Sequence, residues 1–310
     1  MQTTKNVLLI KPANFGFNTE TEASNAFQNK SRKKDTTIQA KAIEEFDAFA
    51  STLHDNGINV FVFDDTEEPA KPDAVFPNNW VTFHPDGTVI LYPMYAPNRR
   101  HERRSEIVYA LRAQFNLTNV VNLSQYESEN KFLEGTGSMV FDHENKIAYA
   151  CLSPRTDEQL FLSVCNRLEY QAIHFKAHDS KEKEVYHTNV MMCIGEKFAA
   201  VCLKSITDKE ERALVKQSLS DTNHEIIEIS LEQMNQFAGN MLSLQNNEGQ
   251  NILVLSQSSF DSLTSKQKKS LTKYAKLLPV NIETIETIGG GSARCMIAEI
   301  FLTTVESIAE

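Results

Sequence analysis

Apolar residues recur at three- and four-residue intervals near positions 37–55, where Ile38, Ala42, Ile43, Phe46, Phe49 and Leu53 fall on one face of a helix. The same period returns near 101–115, 156–168, 207–220 and 264–278. Thr156 with Gln159 three residues on reads as a helix start, and Asn56-Gly57 as the end of the first helix. After each helical stretch comes a short strand-like run: INVFVF, NVVNL, YQAIHF, EIIEIS and VNIETI. A second strand follows each run, opening on polar or glycine-containing residues and continuing apolar, as in FPNNWVTF, LEGTGSMVF, YHTNVMMCI, FAGNMLSL and GGSARCMIAEIF.

With Asn79, Gly137, Asn189, Asn240 and Cys295 as equivalent points, the spacings are 58, 52, 51 and 55 residues. A period near 50 marks repeated supersecondary units that close or stack on one another. Four of the second strands run through HPDGT, DHENK, GEK and NNEGQ into a hairpin partner; the fifth has no partner after it. The N-terminal strand NVLLIKP is free to complete that last unit, so the two ends of the chain are expected to pair. The fold expected is α/β, a pseudo-fivefold ring of strand-helix units in one domain over residues 1–310. A two-domain α/β protein with a chance likeness among its strand starts is the alternative.

A length of 310 residues with 41% hydrophobic content allows a sizeable core, and no Pro-, Gly- or Ser-rich stretch marks a linker. The formal charge of -10 argues against nucleic acid, which demands a clustered excess of Lys and Arg. The longest charge cluster, Arg99 to Glu106, is mixed in sign and reads as solvated. Near the start only Val7 to Ile10 is apolar, too short for a signal-peptide core or a membrane span, so a cytoplasmic protein without a membrane partner is expected. Five cysteines without CxxC or Cys/His ligand spacing indicate neither a disulfide frame nor a metal site. Cys151, Cys165, Cys193 and Cys202 lie in apolar runs and are expected in the core.

A ring would bring its strand starts to one cavity: Asp73 with Asn78 and Asn79, Glu134, His187 with Asn189, Asn240, and Cys295. Cysteine, histidine and glutamate together are the set covalent thiol catalysis needs. The nucleophile would be the Cys295 thiolate, reached through Gly289-Gly290-Gly291, a turn that lets backbone approach a ligand closely. His187 would act as general acid and base, with Glu134 orienting its ring or holding the substrate.

In order along the chain, PDAVFPNNW, LEGTG, LSPRT, HTN and GGGSARCM resemble motifs of the guanidino-group-modifying enzymes. That superfamily includes arginine deiminases, dimethylarginine hydrolases and amidinotransferases, on the five-bladed α/β propeller called the pentein fold. The resemblance runs from about residue 7 to 301, and the start KPANFGFNTET looks most like a bacterial group proposed as citrulline-utilisation hydrolases. It implies Cys295 as nucleophile, His187 as acid/base, Glu134 as its partner and Asp73 as a pocket carboxylate. It also implies Arg99 and Arg155 as grips for the substrate α-carboxylate. The chain departs from the pattern at Asn79 and Asn189, where relatives keep acids, and at Gly137, where GTG replaces GGD. A neutral ureido oxygen accepts from an Asn amide, whereas a guanidinium wants carboxylates. The departures therefore favour citrulline.

The expectation is a cysteine hydrolase that acts on the ureido or guanidino carbon of a small amino acid and needs no cofactor. An arginine deiminase-type hydrolase or amidinotransferase stays open, as does a non-catalytic pentein such as the ribosome anti-association factor. Homo-oligomerisation is left open too. The polar stretch NFGFNTETEASNAFQNK, residues 14–30, is a candidate lid.

Overall fold

The computed structural model of the chain describes residues 1–30 and 35–305. Among them it contains five three-stranded sheets built to one plan. Four follow the chain directly: β3 (Val81–Phe83), β4 (Thr88–Leu91) and β5 (Asn119–Asn122); β6 (Val140–Asp142), β7 (Ile147–Cys151) and β8 (Gln171–Phe175); β9 (Met192–Ile194), β10 (Phe198–Val201) and β11 (Glu225–Glu228); β12 (Leu242–Gln245), β13 (Asn251–Ser256) and β14 (Lys276–Val280). The fifth joins the ends: β1 (Asn6–Lys11) pairs antiparallel with β15 (Ala298–Glu299) and parallel with β2 (Asn59–Asp64). The N-terminal strand thus completes the last unit.

In the first four sheets the first strand runs antiparallel to the middle one through a hairpin, and in all five the middle strand runs parallel to the outer one. A parallel pair needs a crossover, which is where the helices fall. The middle strands are almost wholly buried and correspondingly apolar, as in IAYAC of β7 and FAAV of β10. The outer strands alternate burial with exposure, as in QAIHF of β8.

The first helix, Asp35–Asp55, buries Ile38, Ala42, Phe46, Phe49 and Leu53, the stripe its spacing predicts. Other elements depart from expectation. The helix expected at 101–115 is only Ser105–Leu111, because Pro97 opens a 3-10 turn over Pro97–Glu102. The next helix, Glu158–Leu168, is capped by Asp157 rather than Thr156: the carboxylate accepts from Leu160 N–H and suits the positive helix end. The helix expected to reach 278 stops at Leu271, and Lys276–Val280 pairs with β13 as an edge strand that tolerates Pro279. The strand expected over VNIETI is Val280 followed by a helix, Glu283–Gly289, because Ile282, Ile285 and Ile288 lie three apart and bury together.

Each inner strand is entered through a single tight turn, Pro77–Asn79, Gly135–Ser138, Thr188–Val190, residues 237–240 and residues 293–296. Neighbouring turns interlock. A Cβ on Gly137 would collide with Asn79 Nδ2, and one on Gly239 would collide with the Val190 carbonyl. Asn240 Oδ1 accepts from Arg294 N–H at 3.1 Å. The strand starts thus meet at one end of the sheets, where the chemistry lies.

Candidate active site

The helix Glu283–Gly289 ends on Gly290, whose φ of 67° is the left-handed conformation glycine adopts without strain. The Tyr186 hydroxyl donates to the Gly290 carbonyl at 2.6 Å and pins the turn. Cys295 follows, buried, with two side-chain amides aimed at its sulfur: Asn240 Nδ2 at 3.2 Å and Asn189 Nδ2 at 3.4 Å. An anionic sulfur is an acceptor, and two N–H donors are its complement.

His187 sits across the same cavity. Its Nε2 is 2.9 Å from Glu134 Oε2, and the other carboxylate oxygen accepts from Tyr95 N–H at 2.9 Å. Ser138, in the Gly135–Ser138 turn, fixes the Glu134 backbone by accepting from its N–H and donating to the Arg155 carbonyl. Burial, together with the Arg155 and Arg99 charges, lowers the His187 imidazole to about 4 although Glu134 pulls the other way. Burial also opposes ionisation of Glu134, but Arg155 and the His187 bond outweigh it and hold the carboxyl at about 2. At neutral pH the pair is therefore a carboxylate bonded to a neutral imidazole, with Nε2–H donating and Nδ1 free to accept.

Asp73 lines the cavity with Oδ1 unpartnered, while its Oδ2 accepts from Asn18. Burial pushes its carboxyl up against the pull of Arg99, 3.6 Å away. Arg99 is not solvated, contrary to the reading of its charge cluster: only 2% of it is exposed. The cause is Glu102, equally buried, which takes Arg99 Nε at 2.8 Å and Nη2 at 2.9 Å in a bidentate pair. The remaining Nη1 donates to Asn79 Oδ1 at 3.0 Å. Arg155 lies 3.6 Å from Glu134, stacks over the Tyr186 ring, and gives Nε and Nη2 to Ser24 Oγ at 3.2 and 2.8 Å.

Asp73, Asn79, Arg99, Arg155, His187 and Cys295 thus line one cavity. Glu134 stands behind His187 and Asn189 behind Cys295, whereas Asn78 is buried outside it with no side-chain partner. Sequence reasoning overlooked Glu102, Ser24, Asn18 and Tyr186. Glu102 had a signal in Pro97, which starts a 3-10 turn and so brings residues three apart together; Ser24 and Asn18 had none beyond the polar loop. That loop closes the site, with Asn18 on Asp73, Ser24 on Arg155 and Asn25 Nδ2 on the Gly289 carbonyl at 3.3 Å. About 10 Å³ remains open beneath it, room for one water. Among the described residues no group of three His, Cys, Asp or Glu could hold a metal ion, and no helix is long and apolar enough to cross a membrane.

A family model described as N,N dimethylarginine dimethylhydrolase, eukaryotic, matches residues 11–302. A sequence comparison with curated proteins returned no match. Among solved structures, the chain is similar to ArgZ, an arginine dihydrolase from the ornithine-ammonia cycle in cyanobacteria, at a TM-score of 0.75 and 17% identity; 97% of this chain is covered but only 41% of that one. Against the ArgZ N-terminal domain, in a cysteine-to-serine variant bound to substrate, the TM-score is 0.74 at 17% identity, with 96% and 99% covered. A dimethylarginine dimethylaminohydrolase, as a histidine-to-glycine variant in an adduct with S-methyl-L-thiocitrulline, gives 0.64 at 15% identity, with 96% and 100% covered. At these identities the likeness concerns the fold.

Proposed function

The chain belongs to the N,N-dimethylarginine dimethylhydrolase family of the pentein superfamily, and from that premise we propose that it is a cysteine hydrolase acting on the ureido or guanidino carbon of citrulline- or arginine-like amino acids, with citrulline favoured. The observation that carries the proposal is the convergence of Cys295, the His187–Glu134 pair and Arg155 on one loop-covered cavity. The five sheets and the β1–β15 pairing support a closed five-bladed propeller forming a single catalytic domain over residues 1–310.

Binding begins with the loop over residues 14–30 moving away, since the remaining space does not admit an amino acid. The substrate carboxylate takes the Nε/Nη2 fork of Arg155 in place of Ser24 Oγ. Arg99 is a poorer grip, because Glu102 already occupies its fork. His187 takes the thiol proton at Nδ1, and Cys295 sulfur bonds to the ureido carbon. The C–N bond to the δ-nitrogen then breaks, His187 gives its proton to the departing amine, and an S-carbamoyl group is left on the cysteine. Water that loses a proton to His187 attacks the same carbon, the C–S bond breaks, and the carbamate formed decomposes to ammonia and carbon dioxide. The N–H groups of Gly290 and Cys295 go to the Glu286 and Ser292 carbonyls and that of Arg294 to Asn240 Oδ1, so side-chain amides, Asn79 Nδ2 foremost, supply the donors for the developing oxyanion.

A second reading, arginine as substrate, draws on the unpartnered Asp73 Oδ1, an acceptor suited to a guanidinium. Turnover of citrulline, arginine, agmatine and methylated arginines side by side, with and without an acceptor amine, decides between them. Equal activity of the protein and its Cys295→Ala variant would remove the mechanism; the mass of a trapped Cys295 adduct separates carbamoyl from amidino transfer.

A further inference from the structure

We infer that Glu102 is a positioning residue for substrate selection: through Arg99 it fixes the Asn79 amide with its nitrogen, not its oxygen, turned into the cavity. A guanidinium has only donors, so the Asn79 atom that meets Arg99 Nη1 at 3.0 Å must be the carbonyl oxygen. The amide nitrogen then points the other way, against Gly137 and the His187 ring, where it has no protein partner. A buried N–H without a partner is costly unless a ligand accepts from it.

What holds Arg99 in that pose is the 3-10 turn of Pro97–Glu102, whose residues three apart lie side by side. The Glu102 carboxylate takes both atoms of the Arg99 fork and leaves Nη1 to Asn79 alone at hydrogen-bond distance. Asp73 at 3.6 Å and Glu134 at 3.8 Å compete for the same guanidinium. Without the Glu102 charge, Arg99 swings to them, the Asn79 oxygen is released and the amide can turn over. An inward nitrogen donates to a ureido oxygen and repels guanidinium N–H groups; an inward oxygen repels the ureido oxygen and accepts from guanidinium N–H groups. Glu102 touches no substrate, yet it sets which neutral or cationic group the site prefers.

The choice of substrates rests on the function proposed above, so the test has one arm that needs no turnover. In 15N-labelled protein the Asn79 side-chain amide protons give NOEs to the His187 ring proton on Cε1, and Glu102→Gln abolishes them. Turnover supplies the second arm. Glu102→Gln lowers kcat for citrulline about tenfold at nearly constant KM, since the donor matters most to the developing oxyanion, and it lowers arginine turnover less. In an Asn79→Ala background the same change costs under about twofold. If Glu102→Gln folds poorly, Arg99→Met/Glu102→Leu, which removes both charges of the buried pair, gives the same loss of selectivity. An Asn79 NOE pattern unchanged in Glu102→Gln, or equal losses for both substrates that add to those of Asn79→Ala, overturns the inference. Absence of turnover by the wild-type protein with the NOEs behaving as stated would instead refute the function and leave the positioning role standing.

Discussion

His187 Nε2 lies 2.9 Å from Glu134 Oε2, both groups are buried, and the second carboxylate oxygen accepts from Tyr95 N–H. The bond to Glu134 occupies Nε2, so Nδ1 is the nitrogen left to accept a proton. Glu134→Gln keeps the volume but loses the charge that stabilises the imidazolium when it forms. It is expected to lower kcat by roughly 100- to 1000-fold, within the range for acid–base groups. Steady-state kinetics with citrulline check this; a loss below about tenfold would mean the pair does not transfer the proton.

The pH dependence carries a definite sign. Burial depresses His187 to about 4, so the neutral, proton-accepting form persists well below the ordinary 6.5. The acid limb of kcat/KM is therefore expected near pH 4 rather than near 6.5. His84, depressed to about 4 by burial, shares the direction. For a group with a lowered folded pKa, stability is present above the unfolded value and is lost as pH falls through the folded one. Melting temperatures should accordingly decline from pH 6.5 to pH 4, and less steeply in His84→Asn.

Ser24 and a substrate carboxylate compete for one fork of Arg155. Ser24→Ala removes the competitor and should lower KM by about two- to fivefold with kcat little changed. Arg155→Lys, which keeps the charge and loses the fork, should raise KM by about 10- to 100-fold. A glutamate-specific protease should cut after the exposed Glu20 and Glu22 at different rates with and without citrulline; identical rates would show that the loop does not move to admit it.

A side chain on Gly137 would disturb the site: its Cβ would collide with Asn79 Nδ2 and come within 2.7 Å of His187 Nδ1, so one of them must shift. Gly137→Ala is expected to fold, because its neighbours can yield by a rotamer change, yet to lose activity by about a hundredfold as the ring or the amide is displaced. Circular dichroism and kinetics together test it. Gly290→Ala should instead cost stability, about 1 to 2 kcal/mol, because the left-handed conformation at φ 67° strains any residue with a Cβ.

Much of this was legible in the chain. The alternation of apolar helices and strands at a period near 50 residues announced five similar units, and the unpaired first strand announced that the ends would meet. Those features are local: they depend on which residues follow one another and on the period of burial each element demands. Where an element's end depended on a neighbour, the sequence misled. The strand Lys276–Val280 exists because β13 offers it a parallel edge, and the Pro97 turn overrode an amphipathic pattern that would have served a longer helix.

The sequence by itself determined that cysteine, histidine, glutamate and asparagine stand at equivalent points of a repeat, since that follows from spacing alone. Only the tertiary structure decided what each does to the others. Arg99, read both as a grip for the substrate carboxylate and as part of a solvated cluster, proved to be held by the buried Glu102, and Ser24 looked like any polar loop residue until it met Arg155 across 131 positions of chain. The reason is range: a hydrogen bond acts over about 3 Å, and which groups come that close depends on how the sheets pack against one another, a relation no stretch of sequence contains.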